Sequence, residues 1–284
     1  MADPNIVPQI FDEELRKLHR ARALARLETD KLPFFLMRCI EDFAERLTDI
    51  NRRFEHGVIL GDMDIRPALT KVLPASKTPK TLTLVKKLRA LDALQAPIDL
   101  IVSLLFLQSE NDLPGTLKRM ADKLNPDGLM IVCLFGGETL TEFRKALYSA
   151  DEAVLGGLTA RISPMITYEQ AAQLLSRARL NLPVVDIDRF KVNYSTLPKL
   201  LGDLRDVGQS NHLAARTRRP LTKSYLSHLK KALFAQDEKI TTSFEIIWMT
   251  GWSPHESQQK PLKPGSARMR LADALGTDKN TMNP

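Results

Sequence analysis

The sequence is poor in cysteine and in closely spaced histidine, and this shortage argues against two kinds of site. The two cysteines, Cys39 and Cys133, sit inside apolar runs far apart in the chain. This pattern is typical of reduced, buried thiols rather than of a disulfide or metal framework. No metal site is predicted either, because metal-ligand spacing is lacking among His19, His56, His212 and His228.

Long apolar runs are lacking as well. The longest run, Ile98–Leu107, is interrupted by Asp99 and Ser103 and has about half the length that a bilayer span requires. The N-terminal residues carry several acidic side chains and no apolar stretch, which is typical neither of a secretory signal nor of a transit peptide. We therefore expect no membrane span and a cytoplasmic protein.

Aromatic residues make up only 6% of the chain, whereas basic residues outnumber acidic ones by 41 to 34, for a net charge of +7. The basic clusters are scattered over 16–26, 216–219 and 260–270. Aromatic side chains do not alternate with these clusters, as a base-stacking surface requires. The charge therefore favours solvated basic faces or an acidic ligand over a nucleic-acid partner.

The sequence does contain an alternation of buried strands and amphipathic helices. The run Ile98–Leu107 has the composition of a strand covered on both faces of a parallel sheet. The order of elements predicts a doubly wound, mostly parallel α/β sheet. Helices are predicted within 10–52 and at 113–124, 138–151 and 168–178, strands at 56–62, 81–85, 98–107, 128–135, 183–192 and 243–252, and a helical insert at 195–238.

The predicted organisation has three parts. An N-terminal helical segment covers 1–52, and an α/β domain covers 53–252 with the insert at about 195–240. The tail, 253–284, is rich in proline and glycine, and we expect it to pack on the domain rather than to trail free.

Ligands of such sheets bind outside the carboxyl ends of the strands, where the strand order reverses. This rule places a site in the loops Gly61–Arg66, Lys86–Leu91 and Leu107–Asp112. A cofactor loop needs several glycines for a tight turn and a close backbone approach, but the first of these loops has one. The second loop should offer a carboxylate to ribose hydroxyls, and it begins with two lysines.

Motifs spread over most of the chain resemble one family. They are IFDEELRKLHRARA at 10–23, NDLP at 111–114, LNPDG at 124–128, LFGGETLTEFR at 134–144, ISP at 162–164, VDIDRFKVNY at 185–194, LRDVGQSN at 204–211 and GWSPHESQQKPLKPGSARMRLADAL at 251–275. The family consists of S-adenosylmethionine-dependent methyltransferase-like proteins. It includes the mitochondrial complex I assembly factor that hydroxylates an arginine, and its alphaproteobacterial relatives.

The resemblance implies a Rossmann-like class I methyltransferase fold, with N-terminal helices and a helical insert before the last strand. It also implies S-adenosylmethionine as cofactor and a protein substrate or partner, such as a subunit of respiratory complex I. The family places a helix, a strand, a second helix and a third strand in the interval 62–97. Because this interval is barely long enough, we expect one unit to be lost.

The chain departs from the family where the cofactor should bind. The family's first loop looks like LDLGCGRG, whereas this chain reads VILGDMDI; it keeps Leu60 and Gly61, which Asp62 follows, and loses two glycines. Gln108 stands in a dipeptide that replaces the family's HW before NDLP. Asp92 either corresponds to the family's adenine-side acid or is an ordinary solvated acid at a helix end. The implied cofactor contacts are thus Gly61, Asp62, Asp92 and Gln108, and we expect cofactor binding to be weak or lost.

Polar residues of the other motifs are candidates for binding a substrate or partner. Two glycines after the fourth strand either border a ligand or merely join strand to helix. A histidine and a glutamate of the tail either transfer a proton or anchor the tail by hydrogen bonds. We predict a working surface between the insert, 194–239, and the loops 136–139 and 107–112. The candidates are Gly136, Gly137, Glu138, Arg205, Asn211, His255 and Glu256.

Three functions stay open at this point. The first is an enzyme that uses S-adenosylmethionine to modify a protein side chain. The second is a non-catalytic assembly factor, or pseudoenzyme, that has lost the cofactor and binds a partner. The third, nucleic-acid binding through the basic clusters, has the least support in the sequence. No catalytic residue is assigned.

Overall fold

The structure of the protein is a computed structural model that describes residues 7–27, 31–95, 97–234 and 238–259. The chain divides into two compact units, Met1–Pro254 and His255–Pro284. The helices of the first unit are α1 (Glu13–Arg26), α2 (Phe34–Asp49), α3 (Arg66–Val72), α4 (Leu88–Asp92), α5 (Leu113–Asp122), α6 (Thr141–Leu155), α7 (Tyr168–Arg177), α8 (Leu197–Asp206) and α9 (Lys223–Leu233). Its strands are β1 (His56–Leu60), β2 (Thr81–Val85), β3 (Leu100–Leu104), β4 (Leu129–Phe135), β5 (Asn181–Tyr194) and β6 (Ile240–Trp252). No helix of the described part has the length and apolarity to cross a membrane.

Polar side chains fix the starts of several helices. Asp12 accepts a hydrogen bond from the Leu15 amide and so caps α1. At α5, Asp112 accepts one from the Gly115 amide at 2.9 Å, and a Cβ on Gly115 would overlap that carboxylate. Thr167 forms a capping box with the first turn of α7. These caps satisfy amide groups that a helix leaves without partners.

The six strands form one sheet in the order β2-β1-β3-β4-β6-β5. The pairs β1·β2, β1·β3 and β3·β4 are parallel, whereas β6 runs antiparallel to both β4 and β5. The strand β6 is thus inserted between β4 and β5. This arrangement confirms the predicted class I methyltransferase fold with a mostly parallel sheet.

The sheet lacks the strand that the family pattern places between β2 and β3. The residues described in that interval form only the five-residue helix α4. The expected loss of one unit therefore falls here, because the interval is too short for a second crossover and its strand. As a result, the loop 107–112 follows β3, the third strand in chain order.

Alternate residues of the central strands point to opposite faces of the sheet, and each face carries its own core. On β4, Ile131 and Cys133 belong to the first core and Val132 and Leu134 to the second. Cys133 and Cys39 are free and fully buried, as the sequence predicts. Burial, together with the neighbouring Cys133 thiol, raises the pKa of Cys39 well above its ordinary value.

Several element boundaries differ from those predicted, and two of them are set by a left-handed leucine. The strand expected over 98–107 is confined to β3, because Leu105 has a φ of 49° and leaves the extended conformation. The helix expected from position 138 begins at Thr141, because Leu140 has a φ of 61°. A left-handed backbone is uncommon at a residue other than glycine, and such residues cluster at binding sites. Leu105 and Leu140 each line one of the two clefts described below.

Candidate functional site

A first cleft lies at the carboxyl ends of β1 and β3, where the cofactor of this fold is expected. Gly61 and Asp62 follow β1 and line it, together with Leu105 and Phe106 after β3 and Arg20 from α1. Its volume is about 50 Å³. Sites for cofactors and other small molecules usually measure about 300–1,000 Å³.

Arg20 occupies the polar side of this cleft. Its guanidinium lies 4.0 Å from the centre of the Phe106 ring and donates a hydrogen bond to the Phe106 carbonyl. Its Nε lies 3.5 Å from Oδ2 of Asp62, so the carboxylate that follows β1 already faces a cation. Burial lowers the pKa of Arg20 to about 10 and raises the pKa of Asp62.

The four predicted cofactor contacts do not come together in the first cleft. A Cβ placed on Gly61 would meet nothing within 4 Å, so the space beside this glycine is open. Asp92 lies outside the lining, at the end of α4, where its exposed carboxylate pairs with Arg119. Gln108 is partly buried, and its amide forms no hydrogen bond to any described residue. Gly61 and Asp62 are thus together, and the other two predicted contacts are elsewhere.

The loop after β3 is tied to the N-terminal helix instead. Arg16 donates to the Ser109 carbonyl at 2.7 Å and pairs with Glu110 at 2.9 Å. Asn111 accepts from the Phe11 amide at 2.9 Å and donates to the Phe11 carbonyl at 3.1 Å. The family motif at 10–23 therefore has a physical role, since it covers one of the loops in which the sequence placed the site.

The first of the two glycines after β4 packs against a buried carboxylate. A Cβ on Gly136 would lie 2.3 Å from Oε1 of Glu245, which is 3% exposed on β6. Arg189 of β5 donates to the other oxygen of Glu245 at 2.7 Å. Gly137 donates its amide to the Ile166 carbonyl at 3.0 Å, and Glu138 is exposed. Packing against Glu245 and Ile247 therefore explains why a glycine occupies position 136.

A second cleft, which we call the insert pocket, lies beyond the end of β4 and beneath the helical insert. Its volume is about 280 Å³. The sequence candidates Arg205 and Asn211 both line it, with Thr139 from the loop after β4. Asn211 is oriented by a hydrogen bond of 2.8 Å to the Ala160 carbonyl. Twelve of the nineteen residues that line the insert pocket are apolar, and none is acidic.

Arg161, which the sequence reading missed, also lines the insert pocket. Its Nε donates at 2.7 Å to Asp151, which is fully buried, and its guanidinium lies 4.5 Å from the Tyr225 ring centre. Thr159 donates to the same carboxylate, and these bonds outweigh burial and lower the pKa of Asp151. The only sequence signal was the position of Arg161 directly before the motif ISP. Arg20 was the better signalled of the two missed arginines, because it lies inside a motif.

The remaining candidates, His255 and Glu256, belong to the second unit and are exposed. The His255 ring contacts the Ser257 hydroxyl at 2.7 Å, and the His255 amide donates to Gln258 at 3.3 Å. The residues from 260 onward lie outside the described part, so the expected packing of the tail stays a prediction. Among the described residues, no three side chains of metal-binding type come together.

The fold and the two clefts define a class I methyltransferase-like protein. The chain is 30% identical to the human mitochondrial arginine hydroxylase NDUFAF5, over 97% of this chain and 86% of that protein. It is 36% identical to the Dictyostelium discoideum protein of the same name, over 63% of this chain and 42% of that protein. The chain therefore belongs to the NDUFAF5 arginine-hydroxylase family.

Two further comparisons complete this picture. No family model matches the chain. The solved structure of the YcgJ protein from Bacillus subtilis resembles it with a TM-score of 0.44 and 11% identity, over 77% of this chain and 99% of that chain.

Proposed function

We propose that this chain is a methyltransferase-like assembly factor for respiratory complex I that binds a protein partner and does not hold S-adenosylmethionine. The relatives are named as mitochondrial arginine hydroxylases, and family membership supports a link to complex I assembly. The observation that carries the proposal is Arg20 in the first cleft. It contacts Phe106 and Asp62, where a cofactor would need space and a free carboxylate.

Two features of the first cleft disfavour the cofactor: the pairing of Arg20 and the lack of an acid after β2. A ligand that entered would have to displace a buried guanidinium from both its ring and its carboxylate, and each contact is stronger away from water. The rearranged cleft would also lack an acid after β2, where Lys86 and Lys87 stand, so ribose hydroxyls would find no strong acceptor there.

Calorimetric titration of the full chain with S-adenosylmethionine tests the cofactor part of the proposal. We expect a dissociation constant weaker than about 10 μM, which corresponds to about −7 kcal/mol. The variant Arg20→Ala should bind more tightly than the wild type, because it removes the side chain that fills the cleft. Arg22→Ala, an exposed arginine of the same helix, is the matched control. Tight binding by the wild type would make an enzyme the better reading.

The partner surface is proposed to lie between the insert and the loops 136–139 and 107–112. Glu138 is exposed there, and Asn211 holds the insert to the segment before Arg161. A pull-down of complex I subunits should therefore weaken in Glu138→Ala and in Asn211→Ala. Glu41→Ala, an exposed glutamate on α2, should capture the partner normally. Undiminished capture by both variants, each shown to be folded, would place the surface elsewhere.

A further inference from the structure

The insert pocket combines an apolar wall with two guanidinium groups, of which that of Arg161 is paired with the buried Asp151 and that of Arg205 has no counter-charge among the described residues. Arginines 161 and 205 are its two charged lining residues, and no carboxylate lines it. Arg161 donates one N–H to Asp151, and its remaining donors form no hydrogen bond within the described residues. Arg205 forms no ion pair with any described residue. A pocket of this composition attracts an anion.

The apolar part of the wall determines what else the ligand must carry. Leu201 and Leu204 lie on the same helix as Arg205, and α6 contributes Phe143 and Leu147. Leu221, which is 48% exposed, also lines the pocket. A small inorganic anion would leave this apolar surface wet, whereas a chain of methylene groups would cover it.

A peptide fits this lining less well than an acyl chain. Each residue of a bound peptide brings an amide and a carbonyl that need partners away from water. Of the seven polar lining residues, Thr139 is already bonded to Glu245 and the Asn211 amide to Ala160. An acyl chain has no such groups between its ends. The volume of about 280 Å³ lies just below the usual range for small-molecule sites and well above that of the first cleft.

We propose that the insert pocket binds a medium-chain carboxylate, with the carboxylate held by Arg161 and Arg205 and the chain against the leucines. Arg161 is the rigid member of the pair, because Asp151 and Tyr225 orient it. Arg205 is exposed and adjusts to the ligand. This site does not depend on the proposed loss of S-adenosylmethionine or on capture of a protein partner.

Calorimetric titration of the full chain with sodium octanoate tests the inference. We expect saturable binding in the range of about 1 mM or tighter. Octanamide, which has the same chain without the charge, should bind at least about tenfold more weakly, and acetate should not bind measurably. No binding of octanoate up to 10 mM, equal affinity for octanamide, or binding only of an acidic peptide such as acetyl-Leu-Glu-Leu-amide would overturn the proposal.

Variants that keep the wild-type stability test whether octanoate binds in the insert pocket. Arg205→Gln should weaken octanoate binding about tenfold, as expected for the loss of one charge-assisted hydrogen bond, and Arg205→Lys should restore part of it. Arg219→Gln removes an exposed arginine of the insert that does not line the pocket, so its affinity should equal that of the wild type. All three variants should melt at the wild-type temperature. Equal loss in Arg205→Gln and Arg219→Gln would reduce the effect to general charge and overturn the assigned site.

Discussion

The first cleft and the insert pocket open at the carboxyl ends of neighbouring parallel strands, but they treat charge differently. In the first cleft, Arg20 meets a carboxylate of the cleft itself, Asp62, and about 50 Å³ remains. In the insert pocket, the carboxylate that orients Arg161 lies behind the wall, and about 280 Å³ remains. The comparison teaches that an arginine still offers hydrogen-bond donors to an anion when its carboxylate partner does not itself line the cleft.

The largest effect is expected from removing the carboxylate behind the insert pocket. Asp151→Ala should lower the free energy of unfolding by about 3–5 kcal/mol, because it leaves a mostly buried guanidinium without its counter-charge. Asp62→Ala in the first cleft should cost less, since Asp62 is more exposed and its pair with Arg20 is longer. Urea unfolding of both variants measures the difference. A larger loss in Asp62→Ala would reverse the comparison.

A buried histidine joins the insert to α1 beside the first cleft. The His212 ring is fully buried, 5.8 Å from that of His19, and burial lowers its pKa to about 4, aided by the charges of Arg16 and Arg20. In the unfolded chain His212 binds a proton near pH 6.5, whereas in the folded chain it does so only near pH 4. Stability is therefore lost as the pH falls through this window, by about 3 kcal/mol at its lower end.

The change in unfolding free energy between pH 7 and pH 4 measures this linkage. His212→Gln should flatten the dependence relative to the wild type, whereas His228→Gln, at an exposed position on α9, should leave it unchanged. A slope in His212→Gln equal to that of the wild type would mean that another group is responsible.

Gly136 and Gly61 differ in how closely other atoms pack around them. Gly136→Ala should cost about 2 kcal/mol, because the new Cβ would lie 2.3 Å from Oε1 of Glu245 and force that buried carboxylate to move. Gly61→Ala should change stability by less than about 1 kcal/mol, because nothing lies within 4 Å of its new Cβ. Thermal melting compares the two. A strong destabilisation in Gly61→Ala would show that the first cleft is tighter than its volume indicates.

The smallest effect is expected at Asp92. Its pair with Arg119 is about 40% exposed on both sides, so Asp92→Asn should change the free energy of unfolding by less than about 1 kcal/mol. The variant should also leave the weak calorimetric signal for S-adenosylmethionine unchanged. A loss of binding in Asp92→Asn alone would restore this residue as the adenine-side acid.

The sequence predicted the fold well because its signals are local. The apolar run that forms β3 and the helical patterns that form α5 and α7 each depend on residues a few positions apart. The short interval before β3 was likewise enough to predict a missing unit. Boundaries were less accurate at Leu105 and Leu140, because a left-handed backbone at a leucine has no sequence signature.

The clefts were predicted only in part, because each is closed by residues distant in the chain. Sequence motifs indicated Gly61, Asp62, Arg205 and Asn211, and the structure places them in two different clefts. Neither motif nor spacing indicated that Arg20 reaches Asp62 from the first helix, or that Asp151 orients Arg161.

The sequence by itself determined the strands, the helices other than α3 and α4, the family and the loss of glycines after β1, since all of these are patterns of neighbouring residues. Only the tertiary structure decided which charges cancel. An arginine and a carboxylate neutralise each other when the fold brings them within about 4 Å and away from water, and sequence separation carries no information about that distance.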